Sequence, residues 1–125
     1  ACSELGLGMV VWSPLKQGVL TGKYSGGKVP RDSRAASREM SMFLKSVDRD
    51  LADRVDRLRP IAARVGVSLA QLALAWLLQR DAVTSVIIGA TRVEQVDENC
   101  QAVGIELAKS EFAAMDEIFP AREWQ

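Results

Sequence analysis

Residues 9–24, MVVWSPLKQGVLTGKY, decide the fold class of this 125-residue chain. Met9 to Trp12 are apolar, β-branched or aromatic, which predicts a strand buried on both faces. Pro14 ends that strand, because its nitrogen has no hydrogen to donate and its ring pushes Ser13 into an extended or turn geometry. The residues that follow are small, hydroxylated or cationic. Such loops build ligand sites at the carboxyl ends of strands in α/β folds, although an ordinary strand-to-helix connection fits the spacing equally well.

The composition excludes two classes of partner. The chain has 16 basic and 16 acidic residues, so its net charge is zero. We therefore expect no nucleic-acid partner and no polybasic membrane anchor. No apolar run approaches the roughly 18 residues that a membrane span needs, so we also expect no membrane insertion.

The cysteine and histidine counts narrow the chemistry. Cys2 and Cys100 are the only cysteines, which is too few for a disulfide framework and favours a reducing, cytoplasmic setting. The chain contains no histidine, so it holds no Ser-His-Asp triad, no Cys-His pair and no histidine-ligated zinc. It begins at Ala1 rather than Met and shows no signal-peptide pattern, so we expect residues 1–125 to be one partial domain cut from a longer protein.

The middle of the chain predicts helices. Residues 48–65 carry apolar side chains at helical spacing, with Pro60 expected to kink or divide the helix and Gly66 to end it. Ser68 and Gln71 form a capping box at the start of a helix that runs to about residue 79 and is apolar nearly all round. Residues 31–45 predict a long loop with a short helix.

A second strand and two further helices complete the pattern. Residues 83–88, VTSVII, predict a strand that is again too apolar to be half-exposed. Thr91 and Glu94 match a capping box at the start of the next helix, and residues 110–119 predict the last one. Strands that alternate with helices indicate parallel α/β units.

Both predicted strands end in residues suited to an anion. After the second strand, Gly89 allows a ligand to approach the backbone, and the helix beginning near Thr91 directs its free N–H groups outward. If the strands are parallel neighbours, both ends open on the same side and one phosphorylated ligand can bridge them. The corresponding residues after the first strand are Ser13, Gly18, Thr21, Gly22 and Lys23.

Three motifs in this order carry a family resemblance. WSPLKQGVLTGKY at residues 12–24, SLAQLALAWLLQ at 68–79 and VIIGATRVEQVDEN at 86–99 resemble the C-terminal part of an aldo-keto reductase. Within that superfamily they resemble the branch that includes the potassium-channel β subunits and bacterial relatives. The resemblance implies an α/β chain that forms the C-terminal portion of a (β/α)8 TIM barrel, with two buried parallel strands and several helices. It also implies NADP(H) as cofactor and a small carbonyl compound as substrate.

The resemblance assigns roles at the first strand end. Trp12 would stack on the nicotinamide ring, and Lys23 would lie near the pyrophosphate. Arg34, in the long loop, resembles an arginine that helps to clamp the cofactor. The residues expected to run along the pyrophosphate are Ser13, Pro14, Leu15 and Gly18.

The resemblance also assigns roles at the second strand end. Arg92 would be an additional partner of the adenosine 2′-phosphate. The resemblance implies a preference for NADP over NAD, although other branches of the family carry a Lys or Arg where Gly89 and Gln95 stand. Glu98 and Asn99 resemble the pair that contacts the adenine amine. The residues expected near the 2′-phosphate and ribose are Gly89, Thr91 and Gln95.

One departure from the family limits the interpretation. The acid–base tetrad of Asp, Tyr, Lys and His belongs to the earlier strands of the barrel, and none of it lies in this chain. Tyr24 and Lys23 do not occupy the positions of the catalytic pair. Three readings therefore stay open: part of a reductase, a redox-sensing regulatory subunit, and a structural fragment without activity of its own. Homo-oligomer formation also stays open.

Overall fold

The computed structural model describes residues 2–31, 33, 36 and 49–120. Arg34 and most of the predicted long loop lie outside the described residues. Short 3₁₀ turns lie at Lys16–Thr21, Ser25–Gly27 and Gln101–Gly104. The strands and helices, in chain order, are β1 Met9–Trp12, α1 Arg49–Arg57, α2 Arg59–Val65, α3 Leu69–Leu78, β2 Val83–Ile87, α4 Val93–Cys100 and α5 Lys109–Ile118.

The two strands are parallel neighbours, as the alternation of strands and helices predicts. Trp12 pairs with Ile87, and the register has one irregularity between Met9 and Val10. Just before β1, a Cβ on Gly8 would collide with the hydroxyl of Thr84, so a glycine is required for the backbones to approach. Parallel pairing brings the carboxyl ends of both strands to the same edge of the sheet.

The expectation that both strands are buried is wrong for this chain. Trp12 is 80% exposed, Val10 61% and Ile87 57%. Each strand has only the other as a neighbour in the part of the chain that the structure describes. Sequence hydrophobicity reports what a strand is suited to contact, and these apolar side chains lack that contact here.

The helices follow the sequence signals closely. Leu58 separates α1 from α2, and Pro60 lies in the first turn of α2, where a missing N–H costs no helical hydrogen bond. Gly66 ends α2 with φ of 78°, a left-handed conformation that glycine adopts without strain. The predicted division at Pro60 is therefore confirmed.

The capping box at the start of α3 is also confirmed. The Ser68 hydroxyl accepts from the backbone N–H of Gln71 at 3.2 Å. The Gln71 side chain accepts from the backbone N–H of Ser68 at 3.1 Å. Two of the four amides that a helix N-terminus leaves free are thus satisfied.

Helix α3 is the centre of the core, as its apolar sequence predicts. Leu72 and Leu74 have no solvent exposure, and Leu72 belongs to a buried cluster with Leu58 and Met115. Trp76, expected in the core, packs at its edge and donates its indole N–H to Asp116 at 2.9 Å. This core supports the helices while leaving the strand ends accessible.

No single helix among the described residues is long and apolar enough to cross a membrane. In the part of the chain that the structure describes, one pair, Arg49–Val65 together with Leu69–Leu78, meets the length and composition test, and that pair is bent by 85°. Much of Leu69–Leu78 is buried in the core described above.

Candidate functional site

A cleft of about 770 Å³ opens where the carboxyl ends of β1 and β2 lie side by side. Its walls are the loop after β1, the first turn of α3 and the segment from β2 into α4. Arg34, the thirteenth residue predicted for the site, lies outside the described residues. The other twelve all line the cleft: Trp12, Ser13, Pro14, Leu15, Gly18, Lys23, Gly89, Thr91, Arg92, Gln95, Glu98 and Asn99.

The loop after β1 has a strained backbone. Ser13, Lys16 and Gln17 have φ of 53°, 45° and 56°, a left-handed region that residues other than glycine seldom occupy. Backbone hydrogen bonds hold this shape, including one from the N–H of Lys16 to the oxygen of Ser13 at 2.9 Å. The hydroxyl of Thr21 donates to the oxygen of Gly18 at 2.7 Å. Strain of this kind concentrates at sites where the surroundings fix an unusual conformation for function.

Gly18 leaves room for a cation at this wall of the cleft. Its φ is 91°, and a Cβ there would lie 2.6 Å from both Cε and Nζ of Lys23. The Lys23 ammonium also lies 5.3 Å from the centre of the Tyr24 ring. Lys23 makes no salt bridge with any residue that the structure describes.

The helix at the second wall begins differently from the sequence prediction. Helix α4 starts at Val93, with Arg92 as N-cap, and no side chain caps it. The predicted Thr91–Glu94 capping box is therefore wrong. The side-chain oxygen of Gln95 instead accepts from the backbone N–H of Thr91 at 2.9 Å and from its hydroxyl at 3.3 Å.

This arrangement leaves the α4 N-terminus suited to a negative charge. The first-turn amides of a helix have no carbonyl one turn earlier to bond, and the helix dipole is positive at that end. The cation of Arg92 stands at the same mouth of the cleft. Glu98 and Asn99 follow near the end of α4, and the Asn99 side chain is buried.

The sequence did not predict the wall of the cleft that the first turn of α3 forms between the two strand ends. Gln71 of the α3 capping box donates from Nε2 to the backbone oxygen of Glu98 and to the side chain of Gln101, both at 3.1 Å. The capping box was visible in the sequence, but the second use of the Gln71 amide was not. Thr21, which the sequence indicated as suited to an anion, also lines the cleft, whereas Gly22, indicated with it, does not. The lining residues that the sequence did not indicate are Gln17, Ser33, Ser68, Leu69, Ala70, Ile87 and Ile88.

The chemistry of the cleft favours binding over bond-making. Two cations, several hydroxyls and close-approach glycines suit a phosphorylated ligand. Among the described residues, no cluster of acidic, cysteine or histidine side chains could hold a metal ion. Tyr24 is buried in the core and does not line the cleft.

Comparisons with known proteins agree with the resemblance. The family model described as "Aldo/keto reductase family" matches residues 1–120. A "Probable voltage-gated potassium channel subunit beta" from Oryza sativa subsp. japonica is 47% identical over 104 residues, which is 82% of this chain and 32% of that protein. An "L-glyceraldehyde 3-phosphate reductase" from Escherichia coli (strain K12) is 40% identical over 116 residues, 90% of this chain and 33% of that protein. The chain thus spans about a third of the length of these relatives.

Proposed function

This chain belongs to the aldo/keto reductase family, and we propose that it forms the NADP(H)-binding part of a reductase. The intact protein would reduce an aldehyde or ketone by hydride transfer. The observation that carries the proposal is the gathering of twelve candidate residues around one cleft at two adjacent strand ends. A shared cleft supports a single elongated ligand better than two separate sites.

The residues of the cleft fit such a dinucleotide. Trp12 presents an 80% exposed aromatic ring at the mouth, which suits stacking on a flat heterocycle. The lack of a Cβ on Gly18 lets the Lys23 side chain lie against the loop backbone within the cleft, since a Cβ there would be 2.6 Å from its Nζ. The buried side-chain oxygen of Gln17 has no hydrogen-bond partner among the residues that the structure describes. A buried acceptor in this condition favours a ligand or water that donates to it.

Each part of the proposed cofactor is assigned to one wall of the cleft. Trp12 would hold the nicotinamide, and Lys23 with the loop after β1 would hold the phosphates. The segment that contains Arg92 and Gln95 would hold the adenosine end and its 2′-phosphate. The cofactor supplies the hydride when bound, and these residues bind and orient it. The proton donor for the carbonyl oxygen would come from outside this chain.

A second candidate is a redox-sensing regulatory subunit that binds the same cofactor. The name of the Oryza sativa relative, a probable voltage-gated potassium channel subunit beta, favours a regulatory subunit. Both candidates need NADP(H) binding, so turnover rather than binding separates them. A cytoplasmic location and homo-oligomer formation stay predictions from the sequence.

A third proposal concerns these 125 residues alone. We expect no carbonyl reduction from them, because the family tetrad is absent and the strand faces are open. The exposed apolar side chains of Val10, Trp12 and Ile87 instead favour self-association in the isolated chain. Turnover by the purified 125-residue chain in an NADPH-oxidation assay would contradict this expectation.

The test of the main proposal is a titration of the intact protein that contains this chain. NADPH binding should be saturable, and NADPH should be oxidised when a small aldehyde is added. Arg92→Gln should raise the Kd for NADPH about tenfold while changing the Kd for NADH less than twofold, because only NADPH carries the 2′-phosphate. Absence of NADPH binding by the wild-type protein would refute the proposal.

A further inference from the structure

A charged pair lies beneath the loop after β1, at the junction of α1 and α2. The Nε of Arg59, the first residue of α2, lies 2.8 Å from the Oδ1 of Asp56 in α1. Neither residue lines the cleft. However, one further polar atom of each residue, Nη2 of Arg59 and Oδ2 of Asp56, contacts the loop after β1.

Each member of the pair holds the loop by a hydrogen bond. Arg59 donates from Nη2 to the backbone oxygen of Gly22 at 3.1 Å. Asp56 accepts from the hydroxyl of Ser25 at 2.6 Å. These two anchors lie immediately on either side of Lys23 and Tyr24 in the chain. The bonds from Ser25 and then from Arg59 hold the pKa of Asp56 below its ordinary value, because both stabilise the charged carboxylate.

Gly22 transmits this support to the cleft. A Cβ on Gly22 would lie 2.9 Å from Nη2 of Arg59 and 2.6 Å from Cδ1 of Leu69, so the loop backbone is in close contact with both. The N–H of Gly22 donates to the oxygen of Val19 at 3.1 Å and closes the turn of residues 19–22, which directly follows Gly18. Lys23 follows Gly22 directly, so a shift of Gly22 displaces the lysine as well.

We propose that Arg59 and Asp56 are positioning residues that fix the loop over residues 13–25 and thereby place the Lys23 ammonium in the cleft. The inference rests on the proposed function, since it assigns Lys23 to the cofactor phosphates. The guanidinium is suited to this task because its planar fork holds a carboxylate and a carbonyl oxygen at the same time. A lysine at position 59 has no such fork.

The experiment compares variants of the intact protein in NADPH binding and turnover. Arg59→Met should raise the Kd for NADPH three- to tenfold, with kcat per active site unchanged within twofold at saturating NADPH. Arg59→Lys should recover part of the loss. Arg54→Met is the matched control, because Arg54 pairs with Asp50 within α1 at 2.9 Å, away from the junction with α2, and should leave the Kd unchanged.

A double-mutant cycle tests whether the effect passes through Lys23. In a Lys23→Met background, Arg59→Met should change the Kd less than twofold, because the group that it positions is already absent. If Arg59→Met does not fold, Asp56→Asn replaces it and should raise the Kd in the same direction. A purely structural role would lower the fraction of folded protein without changing the Kd of the folded population.

The outcomes separate this inference from the proposed function. A wild-type protein that binds NADPH, with an unchanged Kd in Arg59→Met or in Asp56→Asn, overturns the positioning role and leaves the proposed function intact. Fully additive effects of Arg59→Met and Lys23→Met overturn it as well. A wild-type protein that binds no NADPH overturns both.

Discussion

Replacement of Trp12 by alanine should separate binding from stability. The side chain is 80% exposed, so its removal deletes little core packing and should change the free energy of unfolding by less than about 0.5 kcal/mol. Stacking of an aromatic side chain on a heterocyclic base contributes about 1–3 kcal/mol to binding. A middle value of about 2 kcal/mol corresponds to a rise in the Kd for NADPH of about 30-fold.

The assay can use the protein's own fluorescence. The chain has three tryptophans, and Trp12 lines the cleft, whereas Trp76 is packed beside Phe112 and bonded to Asp116. Energy transfer to bound NADPH should therefore fall in Trp12→Ala, and titration by nicotinamide fluorescence should give the weaker Kd. Trp12→Phe keeps a smaller ring and should lose less affinity.

Two measurements together would contradict the role of Trp12 as a stacking residue for the cofactor. An unchanged Kd in Trp12→Ala, together with a loss of more than about 1 kcal/mol in the free energy of unfolding, would identify the ring as a packing residue. Its exposure would then reflect a surface covered by other parts of the intact protein, and the proposed cofactor platform would be lost.

Three further predictions concern stability, each measured by urea denaturation of the intact protein. Gly22→Ala should lower the free energy of unfolding by about 2–4 kcal/mol, because its φ is 75° and the new Cβ meets two neighbours. Gly26→Ala, with φ of 62° and open space around it, should lower it only by the backbone strain of about 1–2 kcal/mol. Equal losses in the two variants would exclude the close contact at Gly22. Ala108→Ser should stabilise by about 0.5–1 kcal/mol, because Ala108 is the N-cap of α5 and makes no side-chain cap bond; no gain would mean that the serine hydroxyl does not reach the first-turn amides. Because the pKa of Asp56 is lowered in the folded state, its contribution to the free energy of unfolding is complete above pH 3.8 and is lost as the pH falls through the lower folded-state value. Wild type should therefore lose more stability than Asp56→Asn on acidification below pH 3.8. Equal losses in the two proteins would contradict this prediction.

Features with a local physical cause could be predicted from the sequence. Pro60 divides the helix because proline fits the first turn of a helix but not its interior, and the Ser68–Gln71 capping box forms between residues three positions apart. The pairing of β1 with β2 followed from strands alternating with helices. The twelve cleft residues followed from the strand ends and from the family resemblance.

The predictions that were wrong concern features set by competing hydrogen bonds or by residues distant in the sequence. Thr91 and Glu94 match the same capping pattern as Ser68 and Gln71, but the Gln95 side chain binds Thr91 and the helix begins one residue later. The left-handed backbone conformation of Gln17 could not be predicted, because glycine is the residue that usually signals such a conformation in a sequence. The exposure of the strands depends on which other segments contact them, and no residue within a strand encodes that.

The central claim is that one NADP(H) molecule occupies the cleft between the two strand ends. Hydrogen–deuterium exchange of the intact protein, with and without saturating NADPH, tests it most directly. The account predicts slower exchange in residues 13–23 and in residues 89–99, with the same dependence on NADPH concentration at both. Protection of only one of these segments, or of neither, would contradict the claim.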